Sequence, residues 1–133
     1  WNSKALSSDV TAAMNPVFKS VHDSENVARL SYGLAFAKYT GSRGKVLAND
    51  ADAEFLQEIR QIFDKNKIKY QSGGFGKVDE GGGGTVAKFL AYYGIRTVDA
   101  GPALLSMHSL FEISSKADLY ETYRAYKVFF ELN

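Results

Sequence analysis

The sequence predicts an α/β domain, layered α/β/α around a mostly parallel sheet. Two observations carry that expectation. Short apolar runs of strand length alternate with segments whose apolar residues recur at helical spacing, in the order β-β-α-β-α-β-α. The 133 residues, 45% hydrophobic and 14% aromatic, suit one domain with one sizeable core.

In chain order, a short strand is expected around Ala5–Val10. LSYGLAFAK, Leu30–Lys38, is apolar enough for a buried strand, and YTGSRGK, Tyr39–Lys45, reads as a basic glycine-containing loop. From Asp50 to Lys65 the apolar residues Phe55, Leu56, Ile59, Ile62 and Phe63 fall at helical spacing, with acids early and bases late, as the helix dipole favours. Ile68–Gln71 reads as a strand. Val86, Phe89, Leu90 and Tyr93 repeat at helical spacing and Gly94 follows as a C-cap. IRTVD, Ile95–Asp99, is the next strand. Ser115 and Asp118 form a capping-box-like start to a last helix that carries Leu119, Tyr123, Tyr126 and Phe130 on one face. The aromatic stripe Tyr120, Tyr123, Tyr126, Phe129 and Phe130 is assigned to packing. In such sheets ligands gather at the carboxyl ends of strands.

The composition narrows the function. A net charge of +1, from 16 basic and 15 acidic residues, gives no reason to expect nucleic acid or an anionic membrane as partner. No apolar run approaches a membrane span. Cysteine is absent, which excludes disulfides and thiolate metal sites and agrees with a cytoplasmic address. The first residue is Trp1, so the chain is expected to be a processed product or a piece of something longer.

The most distinctive stretch is GKVDEGGGGTVAKFLAYYG, Gly76–Gly94, where a run of glycines stands behind Asp79 and Glu80 and before a helix. It fits a tight strand-to-helix turn. It also fits a ligand that needs a bare backbone and carries positive charge, such as the amino end of a peptide. A phosphate is disfavoured, because no Lys-Ser or Lys-Thr follows the glycines and the acids would repel it. Lys38, Arg43 and Lys45 form either a solvated turn or a pocket for an acidic group. His22, in the polar SVHDSEN, reads as a surface loop residue. His108 lies just beyond a predicted strand and is either a structural histidine or a ligand. Asp9, at a strand end, is either an N-cap or a ligand. A catalytic zinc takes about three protein ligands. Asp9 and His108 sit in separate strand-end loops where they could converge, but together they fall short of a site. Any further ligands must come from elsewhere.

Taken together, SSDVTAAMNP (Ser7–Pro16), KYTGSRGK (Lys38–Lys45), GKVDEGGGGTVAKFL (Gly76–Leu90) and LLSMHSLFEISSKADLYETYRAYK (Leu104–Lys127) resemble the C-terminal part of the aminopeptidase I / aspartyl aminopeptidase family of two-zinc metallopeptidases. The likeness spans nearly the whole chain. It implies that Asp9, in SSD where the family writes SAD, is the carboxylate ligand of one zinc. It implies that His108, in MHS, is the histidine ligand of the other. Asp79, Glu80, Gly82, Gly83, Gly84 and Thr85 would line the substrate cleft, and Lys38, Arg43 and Lys45 would meet an acidic side chain, as aspartyl aminopeptidases prefer. Leu110 and Ala100 stand where the family usually has proline and often cysteine, and neither change touches a ligand.

The same resemblance implies what the chain lacks. The family's first histidine, its bridging aspartate, its paired glutamates (one of them the general base) and its inserted dimerisation domain lie upstream of these residues. Residues 1–133 would then be the C-terminal part of one catalytic domain, inactive alone, from a homo-oligomeric metalloaminopeptidase whose zinc ions activate the attacking water. The competing expectation is a non-enzymatic peptide- or phosphate-binding α/β module built on the glycine loop. A third is a truncated product kept as an oligomer subunit.

Overall fold

The strand Arg96–Gly101, here β5, is the axis of the fold, and its residues from Thr97 onward are buried. The computed structural model describes residues 2–43, 46 and 49–132. Around β5 it sets β1 (Lys4–Ser7), β3 (Leu34–Ala37) and β4 (Tyr70–Ser72) in the order β1-β5-β3-β4. A smaller sheet, β2-β6-β7, consists of Thr11–Ala12, Ala103–Leu105 and Ile113–Ser114. The helices are α1 (Ala53–Lys65), α2 (Ala87–Tyr92) and α3 (Lys116–Phe130).

The architecture is α/β, as expected. β1 pairs parallel with β5 and β3 with β4, but the central β3–β5 pair is antiparallel. This reversal decides where the strand ends point. The carboxyl ends of β1 and β5 share one edge of the sheet, and those of β3 and β4 lie at the opposite edge.

Strand alternation separates two faces. Leu34, Phe36, Val98 and Ala100 point to α1 and α3, where Phe55, Ile59, Phe63 and Ala125 complete the main core. Phe36 stacks on Phe63 with ring centroids 5.5 Å apart. Ala35 points to the other face, into a small alanine cluster with Ala13, Ala28 and Ala103 of the β2–β6 region. Thr97 and Asp99 face that side too, and α2 lies there, so helices cover both faces.

The predicted 50–65 helix begins slightly later, at Ala53. Asp52 is its N-cap and accepts the Phe55 amide at 2.8 Å. Phe55, Ile59 and Phe63, spaced four apart, are its buried stripe, each worth about 1.5–3 kcal/mol of burial. The predicted strand Leu30–Lys38 shortens to Leu34–Ala37, because Ser31 (φ 68°) and Gly33 (φ 95°) turn the chain beforehand.

Three packing expectations are corrected. Ser115 does stand at the N-cap of α3, but its side chain makes no capping bond: its hydroxyl meets that of Ser31 at 3.0 Å. Asp118 likewise turns away from its own helix, toward the Ser31–Gly33 turn. The aromatic stripe of α3 splits. Tyr126 and Phe129 pack on the core, whereas Tyr120, Tyr123 and Phe130 are exposed. A helix spread over one sheet face buries a narrow arc, and five aromatics span more than that arc. The third concerns α2, which forms at the expected place and ends on Gly94 at φ 75°. Its Val86, Phe89 and Tyr93 are exposed nevertheless, and Ala87 is its one fully buried residue.

Candidate functional site

At the carboxyl end of β1 the chain turns through Ser8 and Asp9 into β2. The Asp9 carbonyl lies so close to Gly101 that a Cβ there would sit 2.0 Å from its oxygen, so glycine is required at that point of β5. One carboxylate oxygen of the half-buried Asp9 accepts the Val10 amide at 2.9 Å. The element after the turn is a strand, so Asp9 caps no helix.

Next to this turn, Asp99 lies in register with Ser7. Its Oδ2 accepts the Thr85 hydroxyl at 2.9 Å, and the Thr85 oxygen in turn accepts the Ala87 amide at 3.3 Å. Asp99 Oδ1 and the Ser7 hydroxyl are buried without a hydrogen-bond partner. Burial pushes the Asp99 carboxyl up from its ordinary value. The nearby Ser7 and Thr85 hydroxyls temper this, and the charge of Asp9 adds to it. The Ser7 hydroxyl is thus near the carboxylate but not in hydrogen-bonding geometry. Tyr126, from α3, donates to the Ala100 carbonyl beside the same strand end, and burial raises its phenol as well.

The glycine segment and the basic loop, separate in sequence, meet in space. The Gly41 amide donates to the Gly83 carbonyl at 2.6 Å, and the Asp79 amide donates to the Arg43 carbonyl at 2.9 Å. The base of the basic loop is pinned to β5 by Asn49, whose side-chain amide reaches the Thr97 carbonyl at 3.0 Å. Within the glycine segment, Gly82 (φ 123°) needs its lack of a side chain for the turn itself. Gly83 does not: a Cβ there would meet nothing within 4 Å. Glu80 and Asp79 are exposed. Lys38 is ion-paired with Asp50 and lies over the Tyr39 ring, and Arg43 is exposed. Lys45 lies outside the described residues.

His108 follows β6 in a tight turn. Ser106 and His108 both have positive φ, the Ser109 amide donates to the Ser106 carbonyl at 3.0 Å, and the His108 amide donates to Glu112. The turn leaves the imidazole exposed. Asp9 precedes, and His108 follows, the parallel β2–β6 ladder that pairs Thr11 with Ala103. Among the described residues no group of three or more histidine and acidic side chains could hold a metal. The donor types nevertheless suit zinc. Asp9 Oδ2 and the His108 ring nitrogens are engaged by no hydrogen bond among the described residues, and a carboxylate and an imidazole are both ordinary zinc ligands.

His22, expected on the surface, is buried to 9% exposure, and its Nε2 accepts the Asn15 amide at 3.2 Å. Burial lowers its pKa from the ordinary value. It is a structural histidine closing the Asn15–His22 turn. A feature that sequence reasoning missed is a cavity of 670 Å³ at the carboxyl ends of β3 and β4. Leu56, Arg60, Tyr70 and Phe75 line it together with Lys38 and Gly82. No local motif announces it, because its walls come from α1, two strands and both loops. Asp9 and His108 are not among its lining residues.

Comparison with known proteins places these observations. Residues 1–130 match the family described as Aminopeptidase I zinc metalloprotease (M18). The probable M18 family aminopeptidase 1 of Borrelia garinii subsp. bavariensis is 61% identical over 131 residues, which cover 98% of this chain and 29% of that protein. Among solved structures, aminopeptidase I from Clostridium acetobutylicum superposes with a TM-score of 0.91 at 51% identity, covering 96% of this chain and 28% of that one. The M18-family aminopeptidase of Thermotoga maritima gives a TM-score of 0.89 at 55% identity, covering 92% and 27%. The chain therefore spans less than a third of the length of each of these three relatives.

Proposed function

The chain belongs to the Aminopeptidase I zinc metalloprotease (M18) family, and on that premise we propose that it is the C-terminal portion of the catalytic domain of a metalloaminopeptidase that removes N-terminal residues from peptides. The observation that carries the reading is the family match over 1–130 together with two donors held open on strand-end turns, the Asp9 carboxylate and the His108 imidazole. In the complete site Asp9 would hold one zinc through its carboxylate and His108 another through its imidazole. The remaining ligands and the general-base carboxylate belong to parts of the protein outside these residues.

Zinc, when bound there, polarises the scissile carbonyl and favours attack by water. The residues of this chain do the positioning. Gly101 lets the Asp9 turn lie against β5, and the short turn ending at Glu112 presents His108. The glycine loop, joined to the basic loop through Gly41 and Gly83, forms part of the wall along which an extended peptide lies. Lys38, paired at the surface with the half-exposed Asp50, joins Arg43 and Lys45 as the cations that would meet an acidic substrate side chain.

Homo-oligomer formation belongs to the same reading. Tyr92, Leu110 and Phe111, exposed by 86%, 97% and 84%, are apolar surface that the rest of the protein or further copies would cover.

The test is turnover. The full-length gene product, loaded with zinc, is expected to release the N-terminal residue from aminoacyl p-nitroanilides, and residues 1–133 alone are expected to release none. Robust turnover by the isolated chain contradicts the proposal.

A further inference from the structure

Asp99 stands out because its placement is costly. It is 2% exposed in the middle of β5, and only one of its carboxylate oxygens has a partner. A buried polar atom left unpaired loses its hydration with nothing to offset the loss. Strand position 99 would be served more cheaply by an apolar side chain, so packing alone does not account for an aspartate there.

What Asp99 does hold is Thr85, the residue that closes the glycine run. Thr85 is itself 6% exposed, and its oxygen also accepts the Ala87 amide, so a single hydroxyl joins β5, the glycine loop and the first turn of α2. Elsewhere the glycine segment is held through its backbone: the Asp79 amide donates to the Arg43 carbonyl and the Gly81 amide to the Lys77 carbonyl. Gly83 is tied through its carbonyl to Gly41, and open space surrounds the position of its absent Cβ. Two residues beyond Asp99 along the same strand, Gly101 carries the Asp9 turn against it. One strand therefore supports both the loop assigned to the peptide and the turn assigned to the metal.

We infer that the Thr85–Asp99 hydrogen bond is a positioning device, which sets the glycine loop at a fixed height over the strand that carries the Asp9 turn. The inference rests on the proposed aminopeptidase reading and assigns to it two residues that touch neither metal nor scissile bond. Losing the bond lets the loop ride away from the peptide while leaving the zinc ligands in place. Its effect falls on substrate binding rather than on metal content.

The experiment uses the full-length gene product. Thr85→Val, close in shape but without the hydroxyl, is expected to raise KM for an aminoacyl p-nitroanilide by at least about tenfold, with kcat within about threefold and zinc content unchanged. Thr85→Ser restores the hydroxyl and is expected to bring KM back to within about twofold of wild type. Should Thr85→Val not fold, Asp99→Ser and Asp99→Asn decide the point. The first withdraws the acceptor from reach and raises KM, and the second keeps an acceptor for Thr85 and does not. A folded Thr85→Val with unchanged KM, or a Thr85→Ser that fails to rescue, overturns the inference. An inactive wild-type protein sinks the aminopeptidase reading instead, so the two failures are told apart.

Discussion

The carboxylate of Asp118, wholly buried in the first turn of α3, accepts the Gly33 amide at 2.7 Å. Its second oxygen accepts the Ser31 amide at 2.7 Å, so one side chain satisfies the turn that launches β3. That turn has positive φ at both Ser31 and Gly33, and a Cβ on Gly33 would lie 2.2 Å from the Lys69 carbonyl oxygen. Asp118→Ala strands two amides and is expected to cost about 2–4 kcal/mol. Urea denaturation of the full-length protein measures it, and a loss below about 0.5 kcal/mol would be the range of an ordinary surface substitution.

Asp52 links α1 to β5 through Arg96, whose guanidinium hydrogen-bonds its carboxylate and holds its pKa at about 2, below the ordinary 3.8. The folded value is the depressed one. The stability this pair contributes is therefore fully present above the ordinary value and is lost as pH falls from 3.8 toward about 2. Both side chains are more than a third exposed, so solvent screens the effect and it is modest. Asp52→Asn keeps a capping oxygen for Phe55 but removes the charge. Its destabilisation, read by denaturation at a series of pH values, is expected to be present at pH 7 and to disappear toward pH 2.

Gly83→Ala separates folding from function in the glycine loop. With no atom near the added methyl, stability is expected to change by less than about 0.5 kcal/mol. If the loop lines the peptide cleft, KM rises several-fold with unchanged zinc. Equal KM for Gly83→Ala and wild type would remove this glycine from the cleft.

Gly101→Ala should do the opposite. Its methyl, fixed to the strand backbone, would collide with the Asp9 carbonyl, which is itself backbone and cannot swing aside. The expected cost is about 1–3 kcal/mol, with weakened zinc retention because the Asp9 turn is displaced. Thermal unfolding and metal analysis after dialysis check the two effects separately.

Much of this fold was legible in the residues. Phe55, Ile59 and Phe63 announced α1 by spacing, Gly94 its role as a helix stop, and the Ile95–Asp99 segment its place as a strand. Less legible was whatever depends on partners distant in the chain. Ser115 and Asp118 look like a capping box because a local pattern cannot show that Ser31 and Gly33 compete for the same oxygens. Tyr120, Tyr123 and Phe130 look like core because periodicity tells which face is apolar, not whether anything covers it. The antiparallel β3–β5 pair, which sends strand ends to both edges, has no sequence signal at all. For the site, motif likeness singled out Asp9 and His108. The contact between the glycine and basic loops emerged only from the Gly41–Gly83 bridge, and the weight on Asp99 only from its burial.

Metal content bears most directly on the central assignment. Zinc per subunit, measured by plasma mass spectrometry on the dialysed full-length gene product, is expected to approach two ions in the wild type. Asp9→Ala and His108→Ala are each expected to lower it while the protein stays folded. Wild-type zinc content in both folded variants would contradict the assignment of these side chains as ligands.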